Sequence, residues 1–261
     1  MHDLDIKQWN RVKTLFETHR LYKSIISPCA QSEIGTLSVD NINTPSVVKY
    51  SIPMMIFLAG DCDTHDALAL VRSLPPMTVF VVPDNEWKSL LIKEWGRRLV
   101  TNQRTHMGHK NLDIEHLRKL KRELPVDFNL KKLDTSAIYQ INDEYKKQIE
   151  MLFGKPENLI AKGIGFCILD GEKLVSVAYT PFPFIDEFEV QVYTENNPEY
   201  RRKGFATVVS AALIEYGLDN NLVPHWDAAN QSSVKLAIKL GYNNPQPWEA
   251  FYYQSKSQNS F

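Results

Sequence analysis

Cysteine is scarce in this chain. Cys29, Cys62 and Cys167 are the only three in 261 residues, and no pair stands at C-x-x-C spacing. This excludes a disulfide framework and a cysteine-based zinc site, and it predicts reduced thiols. Long apolar runs are also missing. The most apolar stretch, residues 51–60, falls far short of the roughly 18 residues of a membrane span. The opening Met1-His2-Asp3-Leu4-Asp5-Ile6 lacks the basic and apolar regions of a secretory signal. Nor is there an excess of one charge, since 30 Lys plus Arg face 31 Asp plus Glu. Without a general basic field, nucleic acid is not expected as a main partner, and neither is a membrane. A cytoplasmic protein is the expectation, and the sequence leaves a homodimer open. With 43% hydrophobic residues, the chain can bury a sizeable core in one large domain or two small ones.

Periodicity and punctuation outline the elements. Leu4, Trp9, Val12, Leu15 and Phe16 suggest a helix within residues 3–26, closed by Pro28. Residues 30–46, with Gly35, Asn41, Asn43 and Pro45, look like a loop. Beyond Val47 the pattern reads strand (54–58), helix (64–73), strand (78–82) and helix (85–99), followed by a helix over 113–123 ended by Pro125. This alternation predicts an N-terminal α/β domain over residues 1–125. In residues 126–261 a strand (127–133) and a helix (136–153) precede two apolar runs flanking Asp170-Gly171, a strong hairpin signal. Residues 255–260 look frayed.

Two constellations carry little chemistry. Asp61-Cys62-Asp63-Thr64-His65-Asp66 invites a calcium-loop reading, but such a loop needs glycine at Asp66 and glutamate at Arg72. A capped strand-to-helix turn explains it better. His106, His109 and His116 fit no zinc spacing and read as surface residues, so no metal is expected.

The informative stretch is Tyr200-Arg201-Arg202-Lys203-Gly204-Phe205-Ala206-Thr207, an R-x-x-G-x-A loop that opens a helix. The first N–H groups of a helix have no intrahelical partner, and the helix dipole adds positive charge there, so an anion can settle against them. Gly204 permits close approach, while Arg201, Arg202 and Lys203 supply charge at the rim. Val209, Leu213 and Tyr216 continue an amphipathic pattern over residues 203–219. Upstream, Phe188, Val190 and Val192 alternate with Glu187, Glu189, Gln191 and Tyr193 as in a half-buried strand. Downstream, a short strand (222–226) leads to Asn230, an N-cap residue, and a helix closed by Gly241.

The order strand, R-x-x-G-x-A helix, strand, N-x-x-S-x-x-L-x-x-x-L-G-Y helix resembles the GCN5-related N-acetyltransferase (GNAT) superfamily over residues 126–254. The wording Pro198-Glu199-Tyr200-Arg201-Arg202-Lys203-Gly204-Phe205-Ala206, then Pro224-His225-Trp226-Asp227-Ala228-Ala229-Asn230, is similar to the zwittermicin A resistance-type members. The resemblance implies a C-terminal domain with a mixed, splayed central sheet flanked by helices, an overall α/β (α+β) class, and acetyl-CoA as co-substrate. It implies acetyl transfer to a primary amine of a small molecule, with the N-terminal domain covering the acceptor side.

By that resemblance Arg201, Arg202, Lys203, Gly204, Phe205, Ala206 and Thr207 hold the pyrophosphate. Val192, Tyr193 and Thr194 meet the pantetheine arm through main-chain groups, and Asn230, with Ser233 beside it, joins the cofactor set. The family's strand-four glutamate base falls on Glu189, with Glu187 as a rival on the same face. Many members carry a tyrosine acid where this chain has Ala237. His225, Asp227 or Tyr242 are the open substitutes, of which Asp227 joins Glu189 in the catalytic set, and the thiolate can also leave without an acid. The missing tyrosine keeps a second reading open, a catalytically silent acyl-CoA-binding sensor.

Overall fold

The helical spacing of Trp9, Val12 and Phe16 does not produce one helix. In the computed structural model, which describes residues 1–255, the N-terminal segment is strand β1 (His2–Leu4), two 3-10 turns (Ile6–Arg11, Lys13–Phe16), a π turn (Tyr22–Ile26) and helix α1 (Ser27–Gln31). Tertiary packing overrides periodicity here, because β1 is drawn into a sheet and the aromatic rings bury in the core. Pro28 sits in the first turn of α1, where its missing N–H costs nothing, so it begins a helix instead of closing one.

The predicted loop at 30–46 holds a strand, β2 (Thr36–Val39). It is followed by the hairpin of β3 (Val47–Ile52) and β4 (Met55–Gly60), helix α2 (His65–Ser73), strand β5 (Val79–Val81) and helix α3 (Asn85–Trp95). Thr64 caps α2 by accepting from Ala67 N at 3.1 Å, which confirms the capped turn in the Asp61-to-Asp66 stretch. Asp84 caps α3 in the same way. A long strand absent from the sequence reading, β6 (Leu99–Gly108), carries the chain onward.

The described residues divide into two compact units, residues 1–104 with 248–255, and Thr105–Pro247. The pattern of predicted elements had suggested a boundary near 125. In the first unit the strands run β1-β2-β3-β4-β5, antiparallel except for the parallel β4–β5 pair. Val47, Leu58, Leu70, Phe80 and Trp87 form its core.

In the second unit helix α4 (Ile114–Lys121) is followed by β7 (Phe128–Lys132), α5 (Thr135–Ile138), α6 (Asp143–Phe153) and α7 (Pro156–Lys162). The single helix expected over 136–153 is broken because Asn142 caps a new one, accepting from Glu144 N. The hairpin of β8 (Gly165–Asp170) and β9 (Lys173–Tyr179) turns at Gly171, whose φ is +57°, as Asp-Gly predicts. Then come β10 (Glu187–Glu189), β11 (Gln191–Thr194), α8 (Phe205–Asp219), β12 (Val223–Ala228), α9 (Gln231–Leu240) and β13 (Asn243–Tyr253), which returns to the first unit. The class is mixed α/β, with parallel and antiparallel strands flanked by helices. The expected frayed stretch falls, apart from Ser255, outside the described residues. Among those residues no helix is long and apolar enough to cross a membrane.

Helix α8 is not the amphipathic helix its sequence pattern suggests. It packs against α4, β8, β9, β11, β12 and α9, and its side chains are buried on nearly every face. Gly217 makes this possible beside β10, since a Cβ there would stand 2.7 Å from the Phe188 ring. The buried Glu215 of α8 bonds to Arg118 at 3.0 Å and pairs with Lys121, both on α4. This pairing ties α4 to the second unit.

In the first unit His19 is 4% exposed among Phe16 and Phe57, with Nε2 donating to Leu58 O at 2.7 Å. Burial lowers its pKa to about 4, and the bond to Leu58 opposes the shift only in part. An imidazole whose folded pKa lies below its ordinary 6.5 stabilises the fold above that value and loses this contribution as the pH falls toward 4. A gap of that size corresponds to about 3 kcal/mol. Urea unfolding at pH 7 and pH 4 is expected to show a loss of this order in the wild type and a smaller one in His19→Leu.

Candidate functional site

The site is built around a strand that changes partner. Residues 187–189 lie parallel to β12, in the register Glu187↔Val223, Phe188↔Pro224 and Glu189↔His225. The last rung is Val190 N to His225 O at 3.1 Å. Beyond it β11 turns to β9, pairing Gln191 with Tyr179 and Thr194 with Ser176, while residues 226–228 of β12 pair with β6. The two neighbours diverge from Val190 onward, so the β11 edge facing away from β9 borders a wedge. Val192, Tyr193 and Thr194 lie along it. Tyr193 OH bonds to Glu195, and Thr194 Oγ1 lies 2.8 Å from Ser176 Oγ.

The R-x-x-G-x-A loop follows this strand directly. Tyr200 anchors it, buried, with its hydroxyl 3.0 Å from Asp170 Oδ2. Arg202 and Gly204 adopt left-handed φ values of +61° and +80°. Alternation of this kind turns successive N–H groups toward one concavity. Gly204 is the N-cap of α8, no side chain caps that helix, and a Cβ on Gly204 would meet nothing within 4 Å. The approach to the amides of Phe205, Ala206 and Thr207 is therefore open. The side chains of Phe205 and Thr207 are buried in the core, which leaves those residues only main-chain groups to offer. Arg201, Arg202 and Lys203 are exposed, with Arg201 bonded to Asn196 and Lys203 over the Phe128 ring.

Asn230 caps α9, its Oδ1 accepting from Ser233 N at 3.0 Å. Ser233 Oγ in turn accepts from Trp226 Nε1 at 3.0 Å and fixes α9 to β12. Ala237 is fully buried with Trp226 and Tyr242. The position of the family's tyrosine acid thus faces a filled core. Tyr242 is buried, it donates to Pro224 O at 3.1 Å, and burial first, then the charge of Glu189, pushes its pKa well up.

The β10 carboxylates are not equivalent. Glu189, the expected base, is 7% exposed. Glu187 holds His225, with Oε2 and Nε2 2.7 Å apart. Around His225 stand two more imidazoles, His109 edge-on with ring centres 5.1 Å apart and His106 at 5.7 Å. Asp227 lies opposite His106 in the β12–β6 register. The surface reading of His106, His109 and His116 is corrected here, since all three are partly buried. Among the described residues no group of three or more His, Cys, Asp or Glu is arranged to hold a metal ion. Sequence reasoning missed this cluster because β6 was not recognised, and nothing local joins residue 109 to residue 225.

Comparison with known proteins gives one family. The model for GNAT acetyltransferases matches residues 13–251. The uncharacterized N-acetyltransferase YdfB of Bacillus subtilis (strain 168) is 27% identical over 263 residues, spanning 97% of this chain and 98% of its own. Among solved structures, a GCN5-related N-acetyltransferase-like protein from Streptococcus suis 89/1591 is similar at TM-score 0.77 and 27% identity, over 96% of this chain and 100% of that one. A GNAT-family acetyltransferase from Colwellia psychrerythraea shares the fold at TM-score 0.61 and 10% identity, over 96% of both chains.

The cap geometry makes a separate prediction. Asn230→Ala removes the acceptor for Ser233 N–H and is expected to cost about 1 kcal/mol of stability in urea unfolding. Unchanged stability would mean that water or a neighbouring group caps α9 equally well.

Proposed function

Because the chain belongs to the GNAT acetyltransferase family and is therefore an acyltransferase, we propose that it transfers the acetyl group of acetyl-CoA to a primary amine of a small molecule, by direct attack on the thioester. The observation that carries this reading is the parting of the chain from β12 after Val190, followed in the sequence by the loop that opens α8 without a side-chain cap. A pantetheine arm pairing along Val192, Tyr193 and Thr194 would fill the wedge, and the pyrophosphate would rest on the amides of residues 203–207. Arg201, Arg202 and Lys203 add charge at the rim, while Asn230 and Ser233 border the arm from the α9 side. The open space at Gly204 suits a ligand that needs close backbone approach. Kinship with the zwittermicin A resistance-type members rests on the loop wording and on the Pro224-to-Asn230 stretch.

One observation favours a second reading, a silent acyl-CoA-binding module. It is Ala237, buried where many members carry their acid. Acetyl-CoA offered with a panel of primary amines, scored by thiol release, separates the two. Release with some amine supports transfer, and binding without release under every amine supports the sensor.

Two substitutions at one position test the anion site. Asp and Asn both tolerate the left-handed conformation of Gly204, and they differ by a charge. Gly204→Asp is expected to bind CoA at least about tenfold more weakly than Gly204→Asn, a difference of ~1.4 kcal/mol. Equal affinities by calorimetry in two folded variants would remove the loop from the site.

A further inference from the structure

The parallel register of β10 and β12 puts Glu187 and Glu189 on the same sheet face as His225, opposite the face that buries Phe188, Pro224 and Trp226. On that face the Glu187–His225 pair keeps some contact with solvent, at 14% and 13% side-chain exposure. His225 is held by both its backbone and its ring. Its carbonyl takes the last rung before the strands part, and its Nε2 is committed to the Glu187 carboxylate. A carboxylate that accepts from Nε2–H selects one tautomer and leaves Nδ1 as the nitrogen able to take a proton.

The surroundings suit that role. His109, edge-on to His225, has its pKa lowered by burial first and by the charge of His225 next, with Glu187 opposing and Lys110 adding to the fall. Glu189 is buried and near enough to Tyr242 for its charge to act on that phenol.

We infer that His225, oriented by Glu187, accepts the proton of the attacking amine, an assignment that rests on the acetyl-transfer reading above. As the amine nitrogen bonds to the acyl carbon, its proton passes to Nδ1, and the electron pair of the breaking carbon–sulfur bond leaves on sulfur. The imidazolium then gives the proton to the thiolate, so the products are the N-acetyl amine and the CoA thiol. His225 touches the reacting nitrogen and is catalytic. Glu187 acts through it and is a positioning residue.

The test uses the full chain with acetyl-CoA, a panel of primary alkylamines, and hydroxylamine, a weakly basic nucleophile that is already unprotonated near neutral pH. His225→Gln is expected to lower kcat with an alkylamine roughly 100-fold or more, with little change in the KM for acetyl-CoA. Transfer to hydroxylamine should fall much less, since that nucleophile arrives unprotonated and needs a base only for the proton lost on forming the amide. Glu187→Gln should show the same selectivity to a smaller degree, with partial recovery in Glu187→Asp. The inference is overturned if His225→Gln turns over alkylamines like the wild type, or loses both nucleophiles alike. An alkylamine-selective loss in Glu189→Gln alone would give the role to Glu189. A wild type that binds acetyl-CoA and releases no thiol with any amine overturns the transfer reading itself, and this assignment with it.

Discussion

The bond from Val190 N to His225 O is the constraint on which the site depends. A strand has two hydrogen-bonding edges, and here neither is paired along its whole length, since residues 187–189 are given to β12 on one edge and residues 191–194 to β9 on the other. The cost of such a division is a strand edge with ladder groups to satisfy, which in a solvated sheet invites unwanted pairing. On the acetyl-transfer reading proposed above the same edge becomes useful, because an extended amide-bearing arm would complete the ladder.

On the proposed reading, helix α8 is what makes the wedge a binding site. Its burial fixes the direction of its axis, and its first turn is pinned from within by Phe205 and Thr207 and from the loop side by Tyr200. The left-handed residues Arg202 and Gly204 then bring the chain into the helix so that backbone amides point outward. Positive charge comes from two sources of different range. The amides act within one turn of the helix, while the three basic side chains act over the Debye length and are screened by salt.

Polar groups are placed with equal economy elsewhere in the second unit. Glu215 would be costly inside α8 if it stood alone, but Arg118 and Lys121 compensate it and fix α4 against the helix that carries the loop. The Glu187–His225 pair lies on the opposite kind of surface, half-buried and bounded by other imidazoles. One buried pair holds the scaffold, and the other holds a titratable ring at the root of the fork.

The sequence by itself determined the features set by near neighbours. Asn230 reads as a cap because its side chain reaches an amide three residues on, and Asp170-Gly171 reads as a turn because only those positions need suit it. The R-x-x-G-x-A loop was legible for the same reason, as were α2, α9 and the class of the fold. What tertiary structure alone decided are the long-range pairings. The N-terminal segment forms a strand and short turns in place of one helix, because β1 pairs with β2. The cluster at His225 joins residues 38 positions apart through the bond to Glu187, and residues still more distant through β6. No periodicity encodes such contacts, since they arise from strand registers, and those are settled only when every buried face has found its partner.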